Sequence, residues 1–322
     1  MEIYSKPNKP FIVDEATWVQ CSGVLPFVPD VNSRVYYFPQ GHLESMCISS
    51  QQSSINEARP FLCEIVKISY LADAYTEEMY SNITLKPIRE DETVLDKFHI
   101  RNDLDDDFFG KEIFQSHIDD RLFIPVANNG IIEGFNGNSL TLVDVANKKW
   151  SVKCKFSTAK NGYNLSGNWN TMCQEKKIAA GDTVFFTRTG DGDDLSVSFR
   201  KKGNFSAFAY THSRSQKRFK KEVSKAVARA QNDSTFKVRF YPNWVDFLVD
   251  PDFLFNSNKN LMTSDLKIQK RNSSKLFGNL RTGKLSGAVS AVDDLSWRAA
   301  QVIWDNDGSQ ILVNSWDVVP SD

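Results

Sequence analysis

The sequence predicts a mainly β protein with a few helices. Short runs of β-branched and aromatic residues recur along most of the chain, and Gly, Pro and Asn turns separate them. One strongly basic stretch, Ser213–Arg229, instead repeats its apolar residues at helical spacing. The 322 residues are 41% hydrophobic, which is enough to bury the cores of about two or three small domains.

Composition narrows the functional classes. The formal net charge is −1, so a nucleic-acid partner would require cationic side chains that are concentrated locally. The five cysteines are scattered and form no CxxC pair, which supports neither a disulfide framework nor a zinc site and indicates a reduced compartment. No run of about 18 apolar residues occurs. We therefore expect a soluble, intracellular protein with no membrane partner and no cofactor.

The first part of the chain predicts three strands. Val35–Phe38 is an aromatic run closed by Pro39 and Gly41, which predicts a strand that enters a turn. Phe61–Tyr70 alternates as a half-buried strand does, and Met79–Leu85 follows it after a polar turn.

The middle of the chain predicts a small barrel rather than a βαβ sheet, because many short strands surround only two helix-like insertions. Its strand candidates are Arg121–Ala127, Leu140–Val145, Trp150–Phe156, Thr183–Arg188 and Leu195–Arg200. The acidic segment Arg89–Asp107 precedes them and is interpreted as a solvated linker that runs into a loop.

The C-terminal part predicts a helix and further strands. The second half of Ser213–Arg229 is the predicted helix, and its KRFKK string is compatible with a nuclear import signal. Phe236–Val249 predicts two strands around Pro242-Asn243, and Thr263–Asp322 predicts a last small β module. The strand candidates of that module are Gly283–Val292, Trp297–Asp305 and Val313–Val319.

Several literal strings resemble plant auxin response factors, and they occur in the same order as in that family. They are Thr17–Gly23, VYYFPQGH, YLADAYTEEMYSNITLKPI, FKVRFYPNWVDFLV, WRAAQVIWD and VNSWDVVP. The central part resembles a plant B3 domain through SVKCKF after Trp150, through Asn168-Trp169 and through Lys176–Asp182. Within the family, the chain looks most like the short, repressor-type branch.

The resemblance implies a B3 pseudo-barrel inserted in a β-rich dimerisation domain and followed by a small Tudor-like β-barrel. Trp18–Ile88 and Phe205–Leu261 would then pack together as one unit. The implied domains are a dimerisation domain N-terminal part (11–96), a B3 DNA-binding domain (97–202), a dimerisation domain C-terminal part (203–262) and a Tudor-like ancillary domain (263–322). The implied protein is a nuclear, non-enzymatic transcription factor that binds double-stranded DNA as a homodimer or as a heterodimer with related factors.

B3 domains grip the DNA major groove with two loop arms, which fall here at Asn102–Gly110 and Ser157–Asn168. Ser157, Asn161 and Gly162 or their neighbours replace the arginines expected in the second arm, and the first arm carries Asp105–Asp107. Bidentate arginine is the best reader of guanine, and aspartates repel phosphates. The candidate DNA-binding residues are Arg101, Asn102, Lys111, Lys153, Lys155, Lys160, Asn161 and Asn164.

Two further sets of residues have alternative interpretations. Gln231–Phe236 matches the position of the family's dimer contact, although an ordinary helix-to-strand turn would look the same. The candidate dimerisation residues are Asn232, Asp233, Ser234 and Thr235. The tryptophans Trp297, Trp304 and Trp316 could form a methyl-lysine cage, but such residues more often belong to a core.

The sequence leaves three functions open. The first is a DNA-binding regulator of the auxin-response-factor type, and the second is a dimerising, DNA-weak relative that acts as a competitor or an interaction scaffold. The third is an enzyme, but the four histidines stand in unrelated contexts and no GxSxG, HExxH or GxxxxGK[ST] string occurs. Asp105–Asp107 could hold a cation, yet the spacing of a calcium loop is missing, so we expect no metal site.

Overall fold

The structure is a computed structural model in which three sheets organise the chain. It describes residues 9–22, 30–45, 55, 58–74, 77–89, 108–126, 131–132, 138–188, 194–200, 213–241, 247–262, 267–270, 282–287, 295–298 and 300–320.

The first sheet, here called the frame sheet, combines strands from two distant parts of the chain. Its strands are β1 (Phe11–Ile12), β2 (Arg34–Tyr37), β3 (Phe61–Ala72), β4 (Met79–Pro87), β12 (Phe236–Phe240) and β13 (Leu248–Val249). They are ordered β12-β4-β3-β2-β13, and β1 pairs with β3. The neighbours are antiparallel, with Phe236 opposite Leu85 at one edge and Leu248 opposite Tyr37 at the other.

The two strands predicted within Phe236–Val249 exist, but they do not pair with each other. β12 adds to the β4 edge and β13 adds to the β2 edge, so the whole β2-β3-β4 meander lies between them. Strand edges expose unpaired N–H and C=O groups, and each edge of the meander gains a partner in this way. Residues 242–246, which include Pro242 and Asn243, lie outside the described residues.

Four helices of the described chain accompany the frame sheet: α1 (Glu15–Ser22), α2 (Pro39–Ser45), α5 (Ser213–Gln231) and α6 (Pro251–Leu261). The turn predicted after Phe38 is wrong, because α2 begins there. Proline suits the first helical position, since its φ is already helical and no N–H is needed there. α5 covers the whole basic stretch rather than its second half, and α6 begins after the N-cap Asp250, whose carboxylate accepts from the Phe253 N–H at 2.8 Å.

The frame core is aromatic, and both parts of the chain contribute to it. Trp18 of α1 lies 5.2 Å from Tyr70 and 6.4 Å from Phe240 between ring centroids. Tyr37 likewise lies 5.2 Å from Phe236. Aromatic pairs at these distances add to the burial energy, so the N-terminal and C-terminal strands depend on each other for a common core.

The second sheet, here called the insert sheet, is formed entirely by the residues between β4 and β12. Its strands are β5 (Phe108–Glu112), β6 (Leu122–Pro125), β7 (Ser139–Asp144), β8 (Lys149–Ser157), β9 (Gly162–Ser166), β10 (Thr183–Arg188) and β11 (Leu195–Arg200). Their order is β5-β10-β11-β7-β8-β9-β6, and only the β11–β7 pair among these is parallel. Two helices, α3 (Gln115–Asp119) and α4 (Asn168–Glu175), complete this part. The predictions of β10 and β11 are confirmed.

The insert sheet curls into a pseudo-barrel, as the predicted fold class requires. Its two end strands meet where the Lys111 ammonium of β5 donates to the Phe123 carbonyl of β6 at 2.5 Å. Trp169 of α4 fills the interior, and its indole N–H donates to the His117 carbonyl at 2.7 Å. The curl therefore brings residues of sequence-distant strands onto one outer face.

The third sheet, here called the C-terminal sheet, consists of β14 (Lys267–Lys270), β15 (Thr282–Gly287), β16 (Ala300–Trp304), β17 (Gln310–Val313) and β18 (Val318–Pro320). Their order in the sheet is β17-β16-β15-β14-β18. The strand predicted over Val313–Val319 is wrong for its middle, because a 3-10 helix spans Ser315–Asp317. Asn314 ends the strand there and donates to the Asp317 carboxylate at 3.0 Å.

The C-terminal sheet region packs against the frame through tryptophans. Trp316 lies 5.0 Å from Phe38 and 5.7 Å from Trp297 between ring centroids. The indole of Trp297 presses on Gly41 so closely that a Cβ there would collide with it and would stand 2.8 Å from the Phe247 Cβ. Glycine at this position is thus required by close approach of the two units.

Candidate nucleic-acid interface

Strand β8 presents lysines on the outer face of the pseudo-barrel. Its side chains alternate, with Trp150, Val152 and Cys154 buried and Lys153 and Lys155 exposed. This is the period of two that a strand imposes on a half-buried sheet. Two of the predicted DNA-binding residues are therefore brought onto one solvent-facing row.

The β8–β9 hairpin corresponds to the predicted second arm, but it is not a loop throughout. Only 158–161 form its turn, because Tyr163 and Leu165 of β9 are buried at alternating positions as a strand requires. Lys160 and Asn161 lie exposed at this turn, and Asn161 has the left-handed φ of 47°. The Asn161 carbonyl accepts from the Val126 N–H at 3.1 Å, which ties the tip to the end of β6.

Gly162 allows the hairpin to lie tightly on β6. A Cβ at this position would stand 2.5 Å from the Ile124 carbonyl oxygen and 2.6 Å from the Phe123 ring. Another side chain would push the hairpin off the barrel, so the glycine that replaces an expected arginine has a packing reason.

Asn164 lies in a cross-strand row on the same face. It is opposite Lys155 of β8 and opposite Phe123 of β6. The ammonium groups of Lys160 and Lys111 lie 5.9 Å and 5.6 Å from the centre of the Phe123 ring. We call the surface formed by Lys153, Lys155, Lys160, Asn161 and Asn164 the hairpin face.

Phe123 is a residue of this face that the sequence reasoning missed. The alternation of side chains along a predicted strand was the signal that could have found it. Leu122 and Ile124 of β6 are buried, and Phe123 between them lies half-buried on the opposite face. An outward aromatic ring beside two ammonium groups favours cation–π contacts and holds the lysine heads close to the sheet.

Three lysines of the hairpin face are electrostatically available. Within the described residues, Lys153, Lys155 and Lys160 take part in no ion pair, whereas Lys149 of the same strand binds Asp194 at 2.8 Å. Lys111 differs from them, because it is half-buried and bonded to the Phe123 carbonyl; burial lowers its pKa. The main contact of Lys111 thus connects β5 with β6.

The first predicted arm is only partly described. Arg101, Asn102 and Asp105–Asp107 lie outside the described residues, and the last residues of the arm belong to β5. Within the described part of the chain, no three His, Cys, Asp or Glu residues are arranged to hold a metal ion. The residues of the hairpin face thus come from the second arm and from β8, and none of them comes from the first arm.

The predicted dimerisation residues form the turn between α5 and β12. Asn232, Asp233, Ser234 and Thr235 are all exposed. Backbone bonds close the turn, with the Ser234 N–H donating to the Arg229 carbonyl at 2.9 Å, and Asp233 adopts a left-handed φ of 51°. The turn is well ordered by its own hydrogen bonds and presents small polar side chains to solvent.

The three tryptophans considered for a methyl-lysine cage do not form one group, because only Trp297 and Trp316 lie together. Trp304 is buried in the core of the C-terminal sheet, whereas Trp316 is buried against the frame. The thiols of Cys154 and Cys63 are also poor candidates for nucleophilic chemistry, since burial raises the pKa of Cys154 to about 11 and raises that of Cys63 further. Among the described helices, none has both the length and the apolar character needed to cross a membrane.

Residues 113–203 match the protein family described as the B3 DNA binding domain. The pseudo-barrel with its hairpin face is thus a B3 DNA-binding domain. Along most of its length, the chain is also an auxin-response-factor-like sequence, which confirms the resemblance read from its motifs.

The relatives cover nearly the whole chain at low identity. The chain is 26% identical to auxin response factor 11 of Arabidopsis thaliana, over 94% of this chain and 53% of that protein. It is 26% identical to auxin response factor 17 of the same plant, over 95% and 62%. It is 29% identical to auxin response factor 8 of Oryza sativa subsp. japonica, over 61% and 31%. The chain spans about half the length of the curated relatives it matches.

Among solved structures, one of a hypothetical Arabidopsis thaliana protein is similar over 29% of this chain and 87% of that chain. The identity is 18% and the TM-score is 0.26.

Proposed function

We propose that this protein is a nuclear, auxin-response-factor-like transcription regulator that binds double-stranded DNA through the hairpin face of its B3 domain. The observation that carries the proposal is a row of exposed lysines on the B3 domain, Lys153, Lys155 and Lys160, which form no ion pair with any residue that the structure describes. Lysines that neutralise phosphates supply the sequence-independent part of DNA affinity. The role is one of binding rather than catalysis.

The chemistry of the face predicts modest base reading. Asn161 and Asn164 are its amide side chains, and asparagine pairs with the N6 and N7 edge of adenine. The predicted second arm, Ser157–Asn168, contains no arginine, so it lacks the bidentate guanine contacts that are worth about 1–3 kcal/mol each. We expect phosphate contacts to dominate the binding energy.

The proposed domains follow the boundaries 11–96, 97–202, 203–262 and 263–322. The pairing of β12 with β4 and of β13 with β2 supports treating the first and third of these as one body. A B3 domain carried by such a body leaves the frame free to pair with a second copy or with a related factor. Two linked B3 domains would bind two half-sites with higher avidity than one.

Lys160→Glu is expected to weaken binding to every duplex by about tenfold, because it replaces a phosphate contact with a repulsion. The plot of log affinity against log salt concentration should become less steep by about one unit. Fluorescence anisotropy over a panel of duplexes measures both quantities.

Lys259→Glu is the matched control, since it makes the same charge change at an exposed lysine of α6 in the frame. Equal affinities for Lys160→Glu and Lys259→Glu would remove the hairpin face from the DNA contact.

The acidic first arm, with Asp105–Asp107, favours a second candidate function. In that case the protein dimerises but binds DNA weakly, and it acts as a competitor or an interaction scaffold. Binding that is undetectable even at low salt, with dimerisation intact, would support this candidate over the first.

Ser234→Trp is expected to convert a dimer into a monomer at micromolar protein concentration, because a bulky ring would prevent close approach at the α5–β12 turn. Sedimentation equilibrium reads the mass directly. Ser224→Trp places the same ring at an exposed position in the middle of α5 and should leave the mass unchanged. A dimer that survives Ser234→Trp would move the self-contact to another surface.

The nuclear location rests on the proposed role and on the KRFKK string, which the structure places in helix α5. Lys217 and Lys221 of this string are exposed. A reporter fused to the chain should enter the nucleus.

A further inference from the structure

A buried lysine connects the B3 domain with the frame. The Lys176 ammonium, just after α4, lies 2.5 Å from the Asp144 carboxylate at the end of β7. It also makes a close contact with the carboxylate of Glu77, which belongs to the β3–β4 turn of the frame. The exposed fractions of the three side chains are only 11%, 0% and 6%. We call these residues the joint triad.

The B3 side of the joint triad is preassembled. The Asp144 carboxylate accepts from the Trp150 indole N–H at 2.9 Å and from the Lys148 backbone N–H at 2.8 Å. Burial alone would raise the pKa of Asp144, but the bonds from Lys176 and Trp150 lower it. Lys176 and Asp144 therefore form an ionised pair that the B3 domain holds by itself.

Among the described residues, the frame side contributes Glu77, which has a demanding backbone conformation. Glu77 has a left-handed φ of 55°, and its N–H donates to the Asp73 carbonyl at 2.9 Å. Its second carboxylate oxygen is buried and has no hydrogen-bond partner in the described residues. Burial raises the pKa of Glu77 despite the neighbouring ammonium. A residue that is both strained and incompletely satisfied is costly to keep.

Apolar packing accompanies the joint triad. Val145, next to Asp144, packs against the frame core. Beside it, a cleft of about 600 Å³ lies between the β1–α1 end of the frame and the insert sheet, and Asp14, Thr17 and Lys149 are among its lining residues. Helix α1 of the frame also lies against β10 and β11 of the insert sheet, so the joint triad supplies buried charges within a wider contact.

Buried ion pairs seldom add stability over apolar residues, and their best-attested use is to select one arrangement among several. The geometry points to such a role here. We propose that the Glu77–Lys176 contact fixes the orientation of the B3 domain relative to the frame. The consequence on DNA rests on the proposed function. A dimer whose B3 domains have fixed orientations accepts only a narrow range of separations between two half-sites. Glu77 and Lys176 are positioning residues and touch no DNA.

Glu77→Ala tests the direction of the B3 domain without DNA. Spin labels carried by noncanonical amino acids at exposed Lys237 of β12 and exposed Lys177 of the B3 domain report the distance between the two bodies. The distance distribution should be narrow in the wild type and broad or displaced in Glu77→Ala. Glu64→Ala is the control, because Glu64 pairs with Lys86 within the frame sheet, and it should keep the narrow distribution. An unchanged distribution in Glu77→Ala would overturn the inference.

The same variants test the consequence on DNA. The probes are duplexes with one copy, or with two inverted copies at increasing separation, of a sequence that the wild type selects from a randomised pool. In Glu77→Ala, the preference for the best separation over its neighbours should fall by about fivefold or more, with unchanged affinity for one copy. An unchanged preference in Glu77→Ala would contradict the inference. If the wild type selects no sequence, the proposed function is contradicted, and the spin-label distances alone then test whether Glu77 fixes the orientation of the B3 domain. Glu77→Gln keeps the side-chain shape and replaces Glu77→Ala in both measurements if the latter does not fold.

Discussion

Phe236→Ala is expected to lower the free energy of unfolding of the frame by about 3–5 kcal/mol, as truncation of a buried phenylalanine usually does. Phe236 is 2% exposed, lies opposite Leu85 of β4, and its ring is 5.2 Å from that of Tyr37. The truncation would leave a cavity between strands that come from two distant parts of the chain. Urea denaturation followed by circular dichroism measures the loss.

Phe255→Ala is the matched control, since the same truncation there removes a ring that is 51% exposed on α6. Its effect should stay within about 0.5 kcal/mol. If Phe236→Ala were as mild as this control, the strand after α5 would not be part of the frame core.

Acidification is expected to unfold the frame through His42. The imidazole is fully buried, stacks on Phe247 at 4.4 Å and has its Nδ1 3.0 Å from the Tyr37 hydroxyl. Burial first, and the Arg239 charge second, lower the pKa of His42 from 6.5 to about 3. The unfolded chain thus takes up a proton below pH 6.5 that the folded protein refuses until about pH 3.

The stability that neutral His42 provides is therefore complete above pH 6.5 and declines as the pH falls towards 3. The decline should be about 1.4 kcal/mol for each pH unit from this residue alone. Urea denaturation at a series of pH values measures it, and His42→Gln, which retains a polar partner for Tyr37, should show a slope that is shallower by this amount. Identical slopes in the two proteins would mean that His42 is not the acid-sensitive group.

Local patterns predicted the strands that are strongly apolar. β10 and β11 agree with the predicted residues, because each is a continuous or alternating apolar run closed by turn residues. β8 was predicted within a residue at each end for the same reason. Lys153 and Lys155 were named only as cations near the second arm, and the alternation of β8 in the structure exposes both.

Elements were missed where the local signal was ambiguous. Pro39 and Gly41 indicate a turn by composition, yet Pro39 starts α2, and Gly41 is explained by Trp297 from the other end of the chain. β9 looked like a loop because its polar Asn164 and Ser166 alternate with only two apolar residues in a five-residue strand. Gly41 is thus explained by a contact that is distant in sequence, whereas β9 is held between its hairpin partner β8 and the more distant β6.

The candidate site shows the same division. Lys160 and Asn161 were expected in an arm, and they lie at its tip. The sequence could not show that Lys111 bonds to β6 rather than facing solvent, because its acceptor is a backbone carbonyl of another strand. The joint triad was also invisible, since Glu77 and Lys176 are 99 residues apart and a charged residue normally predicts a solvent-exposed position.

Local patterns were sufficient to establish the mainly β class, most of the strand positions, the B3 and auxin-response-factor resemblance, and the lack of arginine in the second arm. These features depend on local periodicity and on literal strings. Three other features became visible only in the folded chain: the pairing of the strands, the exposure of the hairpin-face lysines without an ion pair among the described residues, and the burial of charges between the frame and the B3 domain. Pairing and burial depend on groups that are brought together from distant parts of the chain, and the free energy of such contacts has no signature in any short stretch of residues.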